Sequence, residues 1–313
     1  MRIISKLSLL GLFAVSAAYA QGPDWAYQRV TGEIPAAHRH DPNVQHTVPG
    51  SDLSLTMPEI DALYNPPNWF PEETGPVPEI VAHGKEPNVQ ACARCHSFSG
   101  MGHPESSGLA GLPVNYIIQQ MADFKSGART DQFWMNDFAQ HVTDEEVRIA
   151  AEYFSAREPV KAVVDVVETE TIPRVYIGSG RMLFEHPDGG TEPLGYRIIE
   201  LPEDRSLATI RHPTSGFIAY TPPGSIERGR DLVTTGGSGK TVPCMACHGV
   251  DLKGIGDIPG IAGSSPVYTI RQLNDFKTGD RAGTLAALMR PTVANLTTED
   301  MVDIVAYLAT LDP

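Results

Sequence analysis

Cysteine, basic residues and long apolar runs are all scarce in this chain. Four of its 313 residues are cysteine, which excludes a scaffold built on many disulfides. Lys and Arg number 24 against 38 Asp and Glu, for a formal charge of −14, and this balance argues against a nucleic-acid binder, which usually carries a basic face. No stretch after residue 20 is long and apolar enough to cross a bilayer. The length predicts two domains or one large one.

The first 20 residues are typical of an export signal that is cleaved. Arg2 and Lys6 form a basic start, and residues 7–18 form a mostly apolar stretch. Ala18-Tyr19-Ala20 then has the small-x-small pattern of a cleavage site. The alternative is a membrane anchor, but the apolar stretch is too short to span a bilayer. We expect cleavage after about Ala20 and a periplasmic protein with a formal charge of −16, because the segment carries two basic residues and no acidic one.

An internal repeat organises the rest of the chain. The pentad Cys92-Ala-Arg-Cys95-His96 recurs 152 residues later as Cys244-Met-Ala-Cys247-His248. The same offset pairs Tyr116 with Tyr268, Gln120 with Gln272, Phe124 with Phe276, and Arg129 with Arg281; an offset of 154 then pairs Met135 with Met289 and Thr143 with Thr297. So many matches over some 60 positions indicate two copies of one structural unit.

Each copy carries the patterns of two helices. The later helix begins at Thr143 or Thr297, where a Thr with an acid three residues on resembles a capping box. Apolar residues follow at i, i+3, i+4 and i+7 and form one stripe that faces a core. The stripes of the earlier helices are Ile117, Met121 and Phe124 in the first copy, and Ile270, Leu273 and Phe276 in the second. Each unit is therefore predicted to be small and mostly helical.

Proline marks the segments outside the repeat. Residues 21–80 hold 10 prolines and residues 159–223 hold 8, out of 26 in the chain, which favours irregular structure. We predict a mostly α protein with five parts: a signal peptide (1–20), a Pro-rich N-terminal extension (21–80) wrapping the surface as coil, a first unit (81–158), an irregular connector (159–223) and a second unit (224–313). Residues 174–177 and 195–199 of the connector are either short strands or part of an ordered segment without a sheet.

The Cys-x-x-Cys-His pentads indicate covalent attachment of haem c. Two cysteines three apart lie on one side of a helical turn, where each can form a thioether with a haem vinyl group. His96 or His248, directly after them, is then placed to bind the iron. Zinc binding and a redox-active dithiol are the alternatives, but zinc would not explain why a His follows each pair immediately.

A methionine in each copy is the predicted second axial ligand. Met135 lies 39 residues after His96, and Met289 lies 41 residues after His248, at equivalent places in the repeat. Core filling is the alternative role of a methionine. His103 and His141 are rivals in the first unit, and both are expected to be surface histidines. His/Met ligation fills both axial positions of the iron and favours the reduced state, as suits an electron carrier.

Both units resemble class I cytochrome c domains, and together they resemble the diheme cytochrome c4 family over roughly residues 80–158 and 224–313. The resemblance implies that Arg129 and Arg281 approach haem propionates; solvated arginines are the alternative. It also implies that a Pro carbonyl orients each ligand His. Pro259 fits that role, whereas the first unit has Ser107 in its place, and Ser97 where the second unit has Gly249. We therefore expect unequal reduction potentials.

These features predict a periplasmic protein that transfers electrons through two covalent His/Met haems. Its partners would be a redox protein donor and a redox protein acceptor, which dock through an acidic surface. One alternative is a diheme enzyme of the peroxidase or thiosulfate dehydrogenase type, with a displaceable ligand in the first unit. The other is a cytochrome subunit of a dehydrogenase complex, in which residues 21–80 bind the partner.

Overall fold

The computed structural model describes residues 22–29 and 33–313. The predicted signal peptide lies outside these residues. Within them, no helix combines the length and the apolar character needed to cross a membrane. The described chain is mostly helical, as predicted, and its strands are concentrated in the connector.

The N-terminal extension is more ordered than the predicted coil. After turns of 3-10 helix at Asp24–Ala26 and Ala36–His38 it contains an antiparallel hairpin and two short helices: β1 (Gln45–Thr47), β2 (Ser54–Thr56), α1 (Met57–Ile60) and α2 (Pro71–Thr74). Met57, Ile60 and Trp69 form a small apolar cluster that includes Ile210 of the connector. The Trp69 indole Nε1 donates a hydrogen bond to the Ile210 carbonyl at 2.9 Å. The extension therefore packs on its own chain.

The first unit is helical. Its helices are α3 (Glu79–Ala82), α4 (Cys92–His96), α5 (Val114–Ser126), α6 (Met135–His141) and α7 (Asp144–Ser155). The capping box at Thr143 is confirmed, because the Glu146 backbone N–H donates to Thr143 Oγ1 at 3.2 Å and the Thr143 N–H donates to Glu146 Oε2 at 2.7 Å. Ile117, Phe124 and Phe154 lie in its core.

The connector forms short strands rather than an irregular segment. They are β3 (Val163–Glu168), β4 (Thr171–Pro173), β5 (Val175–Ile177), β6 (Leu183–Glu185), β7 (Thr191–Pro193), β8 (Ile199–Pro202) and, after helix α8 (Arg205–Thr209), β9 (Phe217–Thr221). Strand β9 lies between β3, to which it is parallel, and β8, to which it is antiparallel. Of the two segments left open between strand and sheet-free structure, 174–177 contains β5, whereas only the last residue of 195–199 enters a strand.

The second unit repeats the first. It contains α9 (Ser225–Thr235), α10 (Met245–His248), the two-residue strands β10 (Gly254–Ile255) and β11 (Ile258–Pro259), α11 (Pro266–Thr278), α12 (Ala286–Val293) and α13 (Thr298–Thr310). The predicted helix start at Thr297 is confirmed by the same capping box, now with Asp300. Helix α13 also meets the connector sheet, where Ala309 packs against Val163 and Ala219.

Candidate functional site

A cavity of about 450 Å³ lies in the first unit. The side chains of Cys92, Cys95, His96 and Met135 all line it. Its apolar wall includes Ile117, Leu109, Phe124, Phe138 and Phe154. The structure therefore brings together the four residues predicted for the first haem and surrounds them with an apolar wall suited to a haem face.

Each predicted ligand histidine is oriented by a backbone carbonyl. His96 Nδ1 lies 2.8 Å from the Ser107 carbonyl, and His248 Nδ1 lies 2.8 Å from the Pro259 carbonyl. This contact assigns the proton to Nδ1 and leaves the lone pair on Nε2 for a metal. Burial lowers the pKa of both imidazoles, which favours the neutral form that ligates. Ser107 thus supplies the same contact as Pro259, and this departure from the family pattern does not alter the histidine orientation.

Ser97 and Gly249, the residues directly after the histidines, share a positive φ. The values are 60° at Ser97 and 90° at Gly249. With ψ of 161° at Ser97 and 155° at Gly249, both residues occupy a region that is nearly exclusive to glycine and costs another residue about 1–3 kcal/mol. Ser97 Oγ donates to the His96 carbonyl at 2.6 Å and accepts from the Gly102 N–H at 3.3 Å, and these contacts stabilise the turn that glycine adopts freely.

The two methionines differ in local structure despite their equivalence in the repeat. Met135 is the first residue of α6, and Asp131 Oδ2 accepts the backbone N–H groups of Phe133, Trp134 and Met135 at 3.0, 2.7 and 3.1 Å. Met289 lies inside α12, which also contains Pro291. It is half-buried and packs with Cys244 against the core of the second unit.

The cysteine environments argue against a reactive dithiol. Burial raises the pKa of the Cys92 thiol to about 12 and that of Cys244 to about 11. Catalytic dithiols instead need a lowered pKa on the attacking cysteine. The Cys92 and Cys244 thiols lie in apolar surroundings, which suit the uncharged sulfur of a thioether.

The expectation for one of the two rival histidines is wrong. His141 is exposed, as expected, and lies 3.9 Å from Asp137. His103 is not a surface residue: it is half-buried, its Nδ1 accepts the Glu105 N–H at 3.2 Å, and its Nε2 lies 2.9 Å from Ser106 Oγ. Both of its ring nitrogens are therefore engaged within its own turn. Burial, and then the nearby arginines, hold the pKa of His103 well below its usual value.

Arg129 and Arg281 meet at the interface between the units and are not the solvated arginines of the alternative. They form an isolated antiparallel bridge, flanked by Thr130 N to Asp280 O and Ala282 N to Ala128 O, both 2.7 Å. Each guanidinium bonds the glutamine of its own unit and both the glutamine and the tyrosine of the other. The bonds are Arg129 to Gln120 (2.8 Å), Gln272 (2.7 Å) and Tyr268 (3.2 Å), and Arg281 to Gln272 (3.1 Å), Gln120 (2.8 Å) and Tyr116 (2.7 Å).

These two guanidiniums form a buried positive pair. Both residues are only 7% exposed, and the side-chain acceptors described above are all neutral. Burial alone would raise the pKa of the Tyr268 phenol, but Arg129 and Arg281 outweigh it and bring the pKa below its usual value. Buried charge is normally paired, and Arg129, Gln272 and Tyr268 line the first cavity. The donor set therefore fits a group with carboxylates, such as haem.

A second interface contact was not anticipated from the sequence. Arg271 of α11 donates to Glu105 Oε2 of the first unit at 3.1 Å, to the Pro104 carbonyl at 2.8 Å and to the Ala26 carbonyl of the extension at 3.0 Å. The pair is buried, with side chains 8% and 2% exposed. Arg271 stands where the repeat has Gln119 in the first copy, and this break in the repeat is the signal that could have indicated it.

Comparisons with known proteins agree with the repeat. Residues 226–312 match the family model of cytochrome c. A cytochrome c4 from Stutzerimonas stutzeri is 24% identical over 72% of this chain and 87% of that protein. A thiosulfate dehydrogenase electron acceptor from Thiomonas intermedia is 25% identical over 71% of this chain and 79% of that protein. A cytochrome c-554(548) from Halomonas halodenitrificans is 40% identical over 23% of this chain and 87% of that protein.

The lengths of these alignments agree with the two pentads. Short relatives align with a fraction of the chain, whereas the cytochrome c4 alignment extends over most of it. The chain belongs to the cytochrome c family, as a diheme protein like cytochrome c4 with two covalently bound haem c groups.

Proposed function

We propose that this cytochrome carries electrons between two redox proteins in the periplasm, with His96/Met135 and His248/Met289 as axial ligand pairs. The observation that carries the proposal is the single cavity lined by His96, Met135 and both cysteines of the first pentad. Bound haem supplies a one-electron couple at its iron. The chain supplies an apolar wall, two thiols for attachment, and an imidazole oriented through its Nδ1.

The proposed ligands favour a carrier over a catalyst. With haem bound, the thioether and the imidazole would both ligate the iron and leave no coordination site for peroxide or another substrate, and the soft sulfur would raise the potential. The loop that presents Met135 is held by three N–H bonds to Asp131, which supports stable rather than displaceable ligation. This argues against the diheme enzyme.

The buried arginine pair connects the two units. We assign Arg129 and Arg281 to the haem carboxylates, because their guanidiniums bond Gln120, Gln272 and the two tyrosines and form no ion pair with a carboxylate of the described residues. The same side chains join α5 to α11. The interface would therefore hold the two redox centres at a constant separation, as transfer inside the protein requires.

Charge supports an acidic docking surface supplied mainly by the extension. Residues 21–80 hold nine Asp and Glu against two Lys and Arg, whereas residues 224–313 hold ten against eight. Opposite charge on a partner would speed the encounter, with salt screening the effect.

A dehydrogenase is one candidate donor. The Thiomonas relative is named an electron acceptor of thiosulfate dehydrogenase, and a separate acceptor fits the carrier proposal. The apolar cluster of the extension is packed on Ile210 of its own connector, which argues against the extension as a permanent subunit contact.

The ligand pairs are tested on protein purified from the periplasmic fraction. We expect two covalent haems, both low-spin, with the Met–Fe(III) charge-transfer band and no reaction with carbon monoxide. Met135→Ala and Met289→Ala should each make one haem high-spin and open to carbon monoxide. Met121→Ala is the matched control, because this methionine lines the same cavity but is not a proposed ligand.

Different outcomes of these experiments would contradict the ligand assignment, the carrier function or the export. An unaltered spectrum in Met135→Ala or Met289→Ala would show that another residue ligates that iron. A high-spin haem in the wild-type protein would favour the enzyme. Recovery of the protein outside the periplasmic fraction, with residues 1–20 retained, would contradict the proposed export.

A further inference from the structure

The connector delivers a hairpin to the first unit. Strands β5 and β6 pair antiparallel through Val175 with Glu185, Tyr176 with Phe184 and Ile177 with Leu183. Residues 178–182 form the tip, closed by the Gly178 N–H on the Met182 carbonyl at 2.9 Å. Gly180 at the tip lies near His103, whose Cε1 is 4.0 Å from the position of an added Cβ. The tip therefore reaches the first unit.

Arg181 on this tip lines the first cavity together with His96 and Met135. Its guanidinium carbon lies 3.1 Å from the centroid of the Phe133 ring, two residues before Met135. Its φ is +65°, a backbone conformation that L residues other than glycine usually avoid. Backbone strain of this kind clusters at functional sites, so the strained conformation of Arg181 beside the cavity indicates a function for this residue.

The charge of Arg181 has no close counter-charge in the described structure. Its Nη1 is buried and has no hydrogen-bond partner among residues 22–29 and 33–313. The two carboxylates that act on its charge are already engaged, because Glu105 pairs with Arg271 and Asp131 Oδ2 accepts three backbone N–H groups. A buried donor and a buried charge without partners are both costly, so a partner inside the cavity is expected.

We propose that Arg181 is a potential-setting residue of the first haem, because it places a positive charge in the haem cavity from the connector hairpin. The proposal rests on the haem assignment above and adds a residue outside both repeated units. A positive charge stabilises the site after it gains an electron, and low dielectric strengthens that effect. Arg181 therefore raises the reduction potential of the first haem, while the second haem lacks this residue.

The test is a redox titration of the loaded protein followed spectroscopically. In Arg181→Met, which keeps an unbranched side chain but loses the charge, we expect the reduction equilibrium of the first haem to shift about tenfold toward the oxidised form. That is about 59 mV for one electron. Arg181→Lys should keep most of the wild-type potential. The step that belongs to the first haem is identified by its alteration in Met135→Ala.

Arg174→Met is the matched control. This arginine stands beside β5 on the same hairpin, but it is exposed and pairs with Asp188 at 3.4 Å and His186 at 2.9 Å. We expect its substitution to leave both titration steps in place.

Two failures are distinguishable. Fewer than two haems per molecule in the wild-type protein would contradict the proposed function itself. Two haems with the same titration in wild type and Arg181→Met would overturn the role of Arg181 alone, as would equal shifts in Arg181→Met and Arg181→Lys.

Discussion

The two units share a motif but differ in what covers them. Val250, Ile255 and Leu288 of the second unit are exposed to 80%, 58% and 65%. In the repeat, Val250 and Ile255 correspond to Phe98 and His103, which are both half-buried, whereas Leu288 corresponds to Trp134, which is 50% exposed. At His103 the difference comes from the connector, because the tip of its β5–β6 hairpin lies beside this residue. Segments outside the repeat therefore set the environment of each site, while the repeat sets its chemistry.

The connector and extension also contact the first unit through polar groups. Arg211 donates to the Arg94 carbonyl at 2.7 Å and pairs with Asp61 at 3.0 Å. Arg157 donates to the Thr74 carbonyl at 3.0 Å. Three parts of the chain are thus joined around one pentad.

The largest expected effect follows from breaking the Arg271–Glu105 pair, one of the contacts between the second unit and the first. Arg271→Met should lower the free energy of unfolding by about 3–5 kcal/mol, because it leaves the buried Glu105 carboxylate unpaired. Chemical denaturation measures the loss.

Arg290→Met is the control for that experiment. Arg290 is exposed in the same unit, so its loss should change stability by less than about 0.5 kcal/mol. Equal effects of the two substitutions would show that the buried pair contributes nothing.

A smaller effect concerns the connector and the second unit. Glu200 of β8 is 2% exposed, and its Oε1 accepts from Ser265 Oγ at 2.7 Å and from the Val267 N–H at 2.8 Å. Burial raises the pKa of Glu200 from 4.5 to about 7. The folded state therefore keeps this proton at pH values where the unfolded chain has released it. Stability should fall as the pH rises from 4.5 to 7, by up to roughly 3 kcal/mol.

Denaturation at several pH values tests this linkage. Glu200→Gln should remove that part of the pH dependence, whereas the exposed Glu203→Gln should leave it. Parallel pH profiles of wild type and Glu200→Gln would refute the assignment. Glu105, which further raises the pKa, and Arg271, which lowers it, are intact in both variants.

The smallest expected effect concerns the capping box, a feature that the two units share. Thr143→Ala and Thr297→Ala each remove one capping box and should each cost about 1 kcal/mol, measured by thermal unfolding. Thr298→Ala, one position inside α13, leaves the box intact and should cost less. A large cost at one cap and none at the other would show that even the shared helices differ in support.

Local patterns account for what the sequence predicted. The capping boxes, the apolar stripes of α5 and α11, and the pentads all depend on residues a few positions apart. The extension was predicted as coil because its proline content is high, yet Trp69 anchors it to Ile210, 141 residues away. Such a contact leaves no periodic signal.

Part of the candidate site was predictable for the same reason. The repeat identified Arg129 and Arg281 as equivalent, but their meeting depends on how the two units pack. Arg181 was missed because a Gly-Ser-Gly-Arg turn indicates a loop without indicating what the loop touches. His103 was misjudged because the turn that engages both its ring nitrogens lies partly beneath the connector.

The arginine–glutamine–tyrosine interface has a further consequence for the ancestry of the chain. Each unit contributes the same three residue types to it, so the contact is self-complementary, like that of a two-fold symmetric homodimer. A single ancestral unit could have paired with its own copy through this face before duplication. Fusion of two such copies would preserve the contact and remove its dependence on protein concentration. The 152-residue period would then be the trace of a dimer that became one molecule.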